Sequence, residues 1–412
     1  MQLCSREYYQ CISLVAILVD YRNFHAFSRF SYLNQLLLTD MIPFNKPYLT
    51  GKEMHYIYQA VNSGKISGNG DFTKKCHRFF EERYGFKKAL LTTSCTDALE
   101  MSAMLANIAP GDEVIVPSYT FVSTALAFVR QGAKIVFVDS RSDHPGIDEE
   151  SVEDHITNRT RAIIPVHYAG VACDMDKIMN IASRHNLLVI EDAAQAIEAT
   201  YKGIPLGSIG HMATFSFHET KNINSGEGGL LSINDPRFIT RSEIIWEKGT
   251  NRAEFFRGEV NKYGWTDIGS SFLPSEIIAA YLWAQLENMA DIQRKRIEIW
   301  DHYLDGLSNW ANFNDVGLPH IPDYSSRNGH LFYLVCRTGS QREEITTKLK
   351  NKGIQAVFHY LSLHKSKYYM KIHGDRELPN ADRYSDTLLR LPLFYELSIQ
   401  DVDVIIDIIT SS

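Results

Sequence analysis

Lys221, Asp192 and Ser216 have the residue types and spacing for amine chemistry. Lys221 closes the run Phe215-Ser216-Phe217-His218-Glu219-Thr220-Lys221, just before the glycine-rich stretch Gly226-Glu227-Gly228-Gly229. Asp192 ends the run Leu187-Leu188-Val189-Ile190-Glu191-Asp192, an apolar strand that finishes in two carboxylates. A lysine made partly neutral by burial or by a nearby positive charge attacks carbonyl carbon. A carboxylate beside a pyridine nitrogen favours the pyridinium, which withdraws electrons from a neighbouring carbanion. An acidic strand end, a serine in a later apolar segment and then a lysine therefore predict a site for pyridoxal 5′-phosphate (PLP). Lys221 would form the Schiff base, Asp192 would pair with the ring nitrogen, and Ser216 would donate to the phosphate. Taken singly, each has a plainer role. Lys221 alone reads as a surface lysine at a strand end, and Asp192 as a helix N-cap ahead of Ala193-Ala194-Gln195.

The phosphate needs further donors. Thr92-Thr93-Ser94-Cys95-Thr96-Asp97 lies directly before an amphipathic segment, so its amides, including those of Cys95 and Thr96, can gather at a positive helix end. Ser94 or Thr96 is equally an ordinary N-cap. Gln195 could reach the ring's phenolic oxygen or be a surface amide. Phe121 could stack on the ring or belong to the core. His167 reads as a core or supporting histidine, and His359-Tyr360 and His364 could line the cleft. Gly226, Gly228 and Gly229 permit tight backbone near the lysine. No G-x-G-x-x-G follows the first strands, which argues against a nicotinamide enzyme.

The elements that must position these residues follow a βα rhythm from about residue 85, the signature of a mainly parallel sheet. Strands are predicted over residues 113–117, 134–139, 161–167, 187–191, 212–217 and 229–233. Helices are predicted over 96–108, 120–131 and 174–185. Asp192 and His167 then fall at the carboxyl ends of strands, where ligands bind in such sheets. Pro274-Ser275 opens a long helix, with Ser275 as N-cap, whose pattern runs past Trp300. A large domain is expected over 41–290, with the boundary inside that helix. A smaller α/β domain is expected over 291–412, with a strand at 331–336 and a helix at 341–350.

A length of 412 residues with 44% apolar content supports two domains. The net charge of −7 and scattered basic residues give nucleic acid no footprint. The six cysteines show no paired or metal-type spacing, which fits a reduced, cytoplasmic setting and no metal. The apolar stretch 12–19 is too short to span a bilayer, and no small-residue cleavage site follows it. Residues 1–40 therefore read as an atypical extension, with the functional chain expected to start at Met41. No membrane span is expected.

Several motifs occur in order: Ser94-Cys95-Thr96-Asp97-Ala98-Leu99, Pro117-Ser118-Tyr119-Thr120-Phe121, Pro165-Val166-His167-Tyr168-Ala169-Gly170, Glu191-Asp192-Ala193-Ala194-Gln195 and Ser216-Phe217-His218-Glu219-Thr220-Lys221. From Met41 to the C-terminus the chain resembles the DegT/DnrJ/StrS sugar aminotransferases. The resemblance implies an aspartate aminotransferase-like (fold type I) homodimer that uses PLP, with the active site at the subunit interface. It implies Lys221 as the Schiff-base lysine, Asp192 as the ring-nitrogen partner, Gln195 on the ring oxygen and Phe121 stacked on the ring. Ser216 would bind the phosphate, with Asn251 reaching it from the neighbouring subunit. Residues 217–222, 247–252 and 358–360 look like the members that aminate dTDP-4-keto-6-deoxy-D-glucose at its 4-keto carbon with L-glutamate. Their product, dTDP-4-amino-4,6-dideoxy-D-galactose, serves enterobacterial common antigen synthesis. Sugar dehydratases of the family carry histidine in place of the lysine. Lys221 favours amino transfer over that chemistry and over a silent binding protein. A desulfurase would need a reactive cysteine in a mobile loop, and Cys336 sits in an apparent strand. Another keto sugar, or amination to the gluco product, is the alternative within the family.

Overall fold

The computed structural model describes residues 41–374 and 376–411; the extension 1–40 lies outside the described residues. The main sheet is built from β1 (Lys88–Thr92), β2 (Glu113–Pro117), β3 (Lys134–Val138), β4 (Thr160–Ile163), β5 (Leu188–Asp192), β8 (Met212–Ser216) and β9 (Gly229–Ile233), in the order β1-β9-β8-β5-β4-β2-β3. The short strands β6 (Thr200–Tyr201) and β7 (Ile204–Pro205) form a separate hairpin. The pairs from β3 through β8 are parallel, and only β9 runs against its neighbours β8 and β1. Both faces are covered. Val114 and Val116 join one core cluster and Ile115 the other, as the two-residue period of a strand requires. With both faces buried, β2 and β9 are buried at every position, so they read as continuous apolar runs rather than alternating ones.

The sequence-predicted elements appear with shifted ends. The helix expected over 96–108 is Cys95–Leu105, capped by Ser94, whose Oγ accepts from Asp97 N at 3.1 Å. The strand expected over 161–167 stops at Ile163: Pro165 has no N–H to donate to the ladder, which resumes only as a bridge between Val166 and Asp192. The long helix expected from residue 275 is two helices, Glu276–Glu287 and Met289–Asn314, broken at Asn288 (φ −107°, ψ 7°). Asn288 Nδ2 donates back to Ala284 O at 2.9 Å, a local bond that competes with continuing the helix. Ser275 occupies the N-cap position without a capping side-chain bond. Its neighbour Glu276, buried, turns instead to the start of helix Asp71–Tyr84. There it accepts from Gly70 N (2.9 Å), Phe72 N (2.7 Å), Thr73 N (3.1 Å) and the Thr73 hydroxyl. A carboxylate from a distant helix thus satisfies N–H groups that Gly70 has no side chain to cap.

A second sheet, in the order β10-β12-β11, joins β10 (Phe332–Val335), β11 (Val357–Phe358) and β12 (Leu388–Leu391). Its core cluster includes Ile299 from helix Met289–Asn314, Phe332, Leu389 and Val402. Among the described residues, no helix is long and apolar enough to cross a membrane.

Candidate active site

Lys221 is placed by a turn that leaves β8 and returns as β9. Phe217 N bonds Gly228 O at 2.8 Å, Glu219 N bonds Gly226 O at 2.9 Å, and Lys221 N bonds His218 O at 2.9 Å. Gly226 adopts φ 77°, the left-handed region that favours glycine. Gly229 serves differently: a Cβ there would lie 2.4 Å from the Ser94 carbonyl carbon. The glycine run therefore lets the lysine-bearing loop close onto the N-terminus of helix Cys95–Leu105.

Asp192 ends β5 across the same cavity, which has a volume of about 900 Å³ and is lined by Lys221, Asp192, Gln195, Ser216, Cys95, Thr96 and Phe121. Its carboxylate accepts from Thr124 Oγ1 at 2.7 Å and from Ala194 N at 3.1 Å. A turn follows Asp192 rather than a helix, so the N-cap alternative is replaced by a buried carboxylate facing the cavity. Burial raises the Asp192 pKa, against the Thr124 and Ala194 hydrogen bonds and Lys221, which lower it. Burial likewise lowers the pKa of Lys221. Cys95 and Asp192 oppose that shift, and the Arg390 guanidinium adds to it. The lysine is thus biased toward a neutral, nucleophilic amine beside a hydrogen-bonded acid.

At one end of the cavity hydroxyls gather around a helix N-terminus. Thr96 Oγ1 and Ser123 Oγ lie 2.8 Å apart, and Ser216 Oγ accepts from His218 N at 3.3 Å. The Cys95 thiol is pushed up by burial and by Asp192, so it stays protonated. Gln195 is no surface amide: it is buried, accepts from Ala169 N at 2.6 Å and donates to Tyr360 Oη at 3.0 Å. Phe121 is not core. It is 54% exposed, with its ring 5.9 Å from that of Tyr360.

His359 and Tyr360 line the cavity, and His359 Nδ1 meets Tyr168 Oη at 2.9 Å. His364 does not; it is buried against Ser118 Oγ at 2.7 Å. His167 is a buried supporting residue. Its Nδ1 accepts from Cys173 N at 3.3 Å, which leaves Nε2 to donate to Glu191 at 2.9 Å. Asn251 lies outside this cavity, bonded to Gly264 N at 2.9 Å and Glu254 at 3.3 Å. Cys336 is buried and its N–H bonds Thr387 O at 3.0 Å, unlike a mobile-loop nucleophile.

Thr124, Ser123, His330 and Arg390 line the cavity and were not anticipated. Two signals were available. Thr120 and Thr124 are four residues apart, and their hydroxyls bond each other at 2.9 Å across the start of helix Val122–Val129. Arg390 is a lone charge within Leu388-Leu389-Arg390-Leu391, where a buried strand has no bland use for one.

An α/β sheet with a half-buried lysine and a buried aspartate lining one cavity at its carboxyl end defines a fold type I transferase of the PLP-dependent class. The chain belongs to the DegT/DnrJ/EryC1/StrS aminotransferase family, whose sequence pattern matches residues 47–410. It is 33% identical over 375 residues to SpsC of Bacillus subtilis, a spore coat polysaccharide biosynthesis protein, covering 89% of this chain and 95% of that one. DesV of S. venezuelae, solved in complex with a ketimine intermediate, is 31% identical with a TM-score of 0.82, covering 90% of this chain and 98% of that one. Spr1654 from Streptococcus pneumoniae, solved in its PMP form, superposes with a TM-score of 0.83 at 26% identity, over 90% of this chain and 98% of that one.

Proposed function

We propose that this chain is a PLP-dependent aminotransferase that moves the amino group of L-glutamate to the 4-keto carbon of dTDP-4-keto-6-deoxy-D-glucose, giving dTDP-4-amino-4,6-dideoxy-D-galactose. The observation that carries the reading is a desolvated Lys221 sharing one cavity with a buried, hydrogen-bonded Asp192. The residues present fit the cofactor: a buried anion for the ring nitrogen, hydroxyls at a helix N-terminus for the phosphate, and an exposed aromatic ring for the ring face. When bound, PLP supplies an aldehyde that takes up an amino group and a ring that draws electrons from the carbon losing its proton.

Lys221 would hold that aldehyde through Nζ and would carry the proton lost by the substrate carbon, and its lowered basicity suits it to both tasks. Asp192 would keep the ring nitrogen protonated, with Thr124 and the Ala194 N–H fixing its carboxylate. Gln195, fixed by Ala169 and Tyr360, would meet the ring oxygen. Phe121 would cover one ring face. Cys95, Thr96 and Ser216 line the phosphate end, and Asn251, placed outside its own subunit's cavity, serves the neighbouring subunit of a homodimer. The large domain, 41–290, supplies most of this wall, and the small domain, 291–412, closes the cavity with Phe358, Tyr360 and Arg390. The choice of sugar nucleotide rests on the likeness of residues 217–222, 247–252 and 358–360 to the 4-aminating subgroup. The cytoplasm is the proposed setting, in keeping with the free cysteines Cys76, Cys95, Cys173 and Cys336.

The test is NMR of the amino sugar formed from dTDP-4-keto-6-deoxy-D-glucose and L-glutamate, which fixes substrate and stereochemistry together. Purified protein with PLP should be yellow and lose that band when L-glutamate is added. Lys221→Ala should abolish both the glutamate response and the product. A protein that stays colourless with PLP, and behaves identically with and without Lys221, overturns the reading.

A further inference from the structure

His330 lines the cavity, and the reaction described above gives it no task. It is buried and held from three sides. Its N–H donates to Asn328 Oδ1 at 3.1 Å, its carbonyl accepts from Arg296 Nη2 at 2.8 Å, and its Nδ1 lies 2.8 Å from Asn222 Oδ1. Asn222 follows Lys221 directly in the chain. Asn328 Nδ2 donates to Gln195 O at 2.8 Å and to Ile197 O at 2.9 Å, in the turn that leaves Asp192. One histidine of the small domain is thus braced against both loops that carry Lys221 and Gln195. The bracing also decides its tautomer. Asn222 Nδ2 donates to Asn328 O at 2.9 Å and to Gln293 Oε1 at 3.1 Å. A backbone carbonyl only accepts, so the Asn222 amino group faces it and the amide oxygen is left for His330. That oxygen only accepts as well, so the proton sits on Nδ1. A neutral imidazole with Nδ1 protonated offers Nε2 as an acceptor and never as a donor. Burial, and then the charges of Lys221, Arg296 and Arg390, push the His330 pKa well below the usual 6.5, so the ring stays neutral.

Lys221 needs such an acceptor. When its amine takes up a proton, Nζ becomes an ammonium with three donors, where burial disfavours the charge. The other ionisable groups that act on Lys221 serve it poorly. Asp192 is held by Thr124 and Ala194 and faces the place of the ring nitrogen, the Cys95 thiol stays protonated, and Arg390 is itself a cation. His359, the other imidazole that feels the lysine's charge, turns Nδ1 to Tyr168 Oη. Glu227 is exposed, 3.8 Å from His218. With Nδ1 turned back to Asn222, Nε2 is the ring nitrogen that His330 has left for the cavity. Resting on the aminotransferase reading above, we propose that His330 is a positioning residue whose Nε2 accepts a hydrogen bond from the Lys221 ammonium, holding Nζ in place as the lysine gains and gives up its proton. Asn222 belongs to the same device, because it sets the tautomer. The acceptor offsets part of the loss of basicity that burial imposes on the lysine.

The experiment uses the full chain as wild type, His330→Leu and His330→Gln. Nitrogen NMR of the histidine-labelled wild-type protein without PLP should show His330 with a protonated Nδ1 and a bare Nε2 at neutral pH. The Nε2 signal should move as Lys221 titrates, and Lys221→Ala should abolish that movement. The midpoint for PLP uptake should fall by about 1 pH unit in the Leu variant, because the ammonium has lost its acceptor. It should stay near the wild type in the Gln variant, whose amide can donate to Asn222 Oδ1 and keep its oxygen for Lys221. Single-turnover reaction with L-glutamate should slow about 10-fold in the Leu variant, with a larger isotope effect for α-deuterated glutamate, and should recover in the Gln variant. A protonated Nε2, or an Nε2 signal indifferent to Lys221→Ala, overturns the proposal. So do Leu and Gln variants that slow alike with the uptake midpoint unmoved, which is the result of a packing role. Should the Leu variant fail to fold, the wild-type NMR decides alone. An Nε2 signal that follows Lys221 in a protein that takes up no PLP keeps the contact and refutes the aminotransferase reading.

Discussion

Replacing Thr124 with valine removes one hydroxyl from beneath the cavity and keeps the side chain's shape. Thr124 is fully buried and donates to Asp192 Oδ2 at 2.7 Å, and Asp192 itself is only 5% exposed, so water cannot replace the lost donor. A hydrogen bond to a buried charged group contributes about 1.5–3 kcal/mol. At about 1.36 kcal/mol per pKa unit, losing it raises the Asp192 pKa by about 1–2 units. The shift has the same sign as that of burial, which already holds Asp192 above the usual carboxylate range against the pull of Thr124. Asp192 must be ionised to keep the cofactor ring protonated, so activity falls as pH drops through the apparent pKa of the aspartate–ring pair. Single-turnover reaction with L-glutamate, followed by the cofactor's absorbance from acid to neutral pH, should show the acid limb displaced upward by about 1–2 pH units, with the high-pH plateau retained. Thr124→Ser, which keeps the donor, should track the wild type. An acid limb that stays in place or moves to lower pH refutes the role given to this hydrogen bond.

Uptake of PLP by apoprotein should accelerate with pH, because only the neutral Lys221 amine attacks the aldehyde. The midpoint should fall below the ordinary lysine value of 10.5, since burial lowers the Lys221 pKa. Stopped-flow absorbance measures it, and a midpoint at or above the ordinary value contradicts a desolvated lysine. The shared active site of the proposed homodimer predicts complementation. Lys221→Ala and Asn251→Asp, each inactive alone, should on co-refolding recover activity in the mixed dimer, about a quarter of the wild type for random pairing with one intact site per dimer. Activity that stays at the level of the parents places both residues in the same subunit's site.

The parts of the fold legible in the sequence are those where local chemistry and tertiary packing ask for the same thing. The run at β9 is apolar because both faces of the sheet are covered, and its predicted ends, Gly229 and Ile233, are the observed ones. Ser94 was readable as a cap because an N-cap bond closes within three residues. The break at Asn288 was not readable: the apolar stripe continues on both sides, and only the backbone of Asn288 (φ −107°, ψ 7°) shows the interruption. β1 escaped notice because it pairs only with the reversed strand β9, which closes the sheet against the βα rhythm of the rest.

The site divides along the same line. Lys221, Asp192 and Ser216 stand out because their chemistry is unusual at the ends of apolar strands, and the fold brings all three to one cavity. Thr124 and Arg390 do not stand out, because each acquires its meaning from a residue far along the chain: Thr124 from Asp192, and Arg390 from Lys221. A threonine in a helix is unremarkable until a carboxylate is buried over it. An arginine in a strand reads as an edge charge until the strand proves to wall a cavity in which no carboxylate of the described residues comes within ion-pair distance of it. Residues that tune a cofactor or its lysine act across elements, so their signal lies in pairwise distances that sequence spacing does not encode. A charged residue inside an otherwise apolar strand run is the exception worth carrying forward. Burying it costs enough free energy that the surrounding structure must supply a partner or leave the place to a ligand.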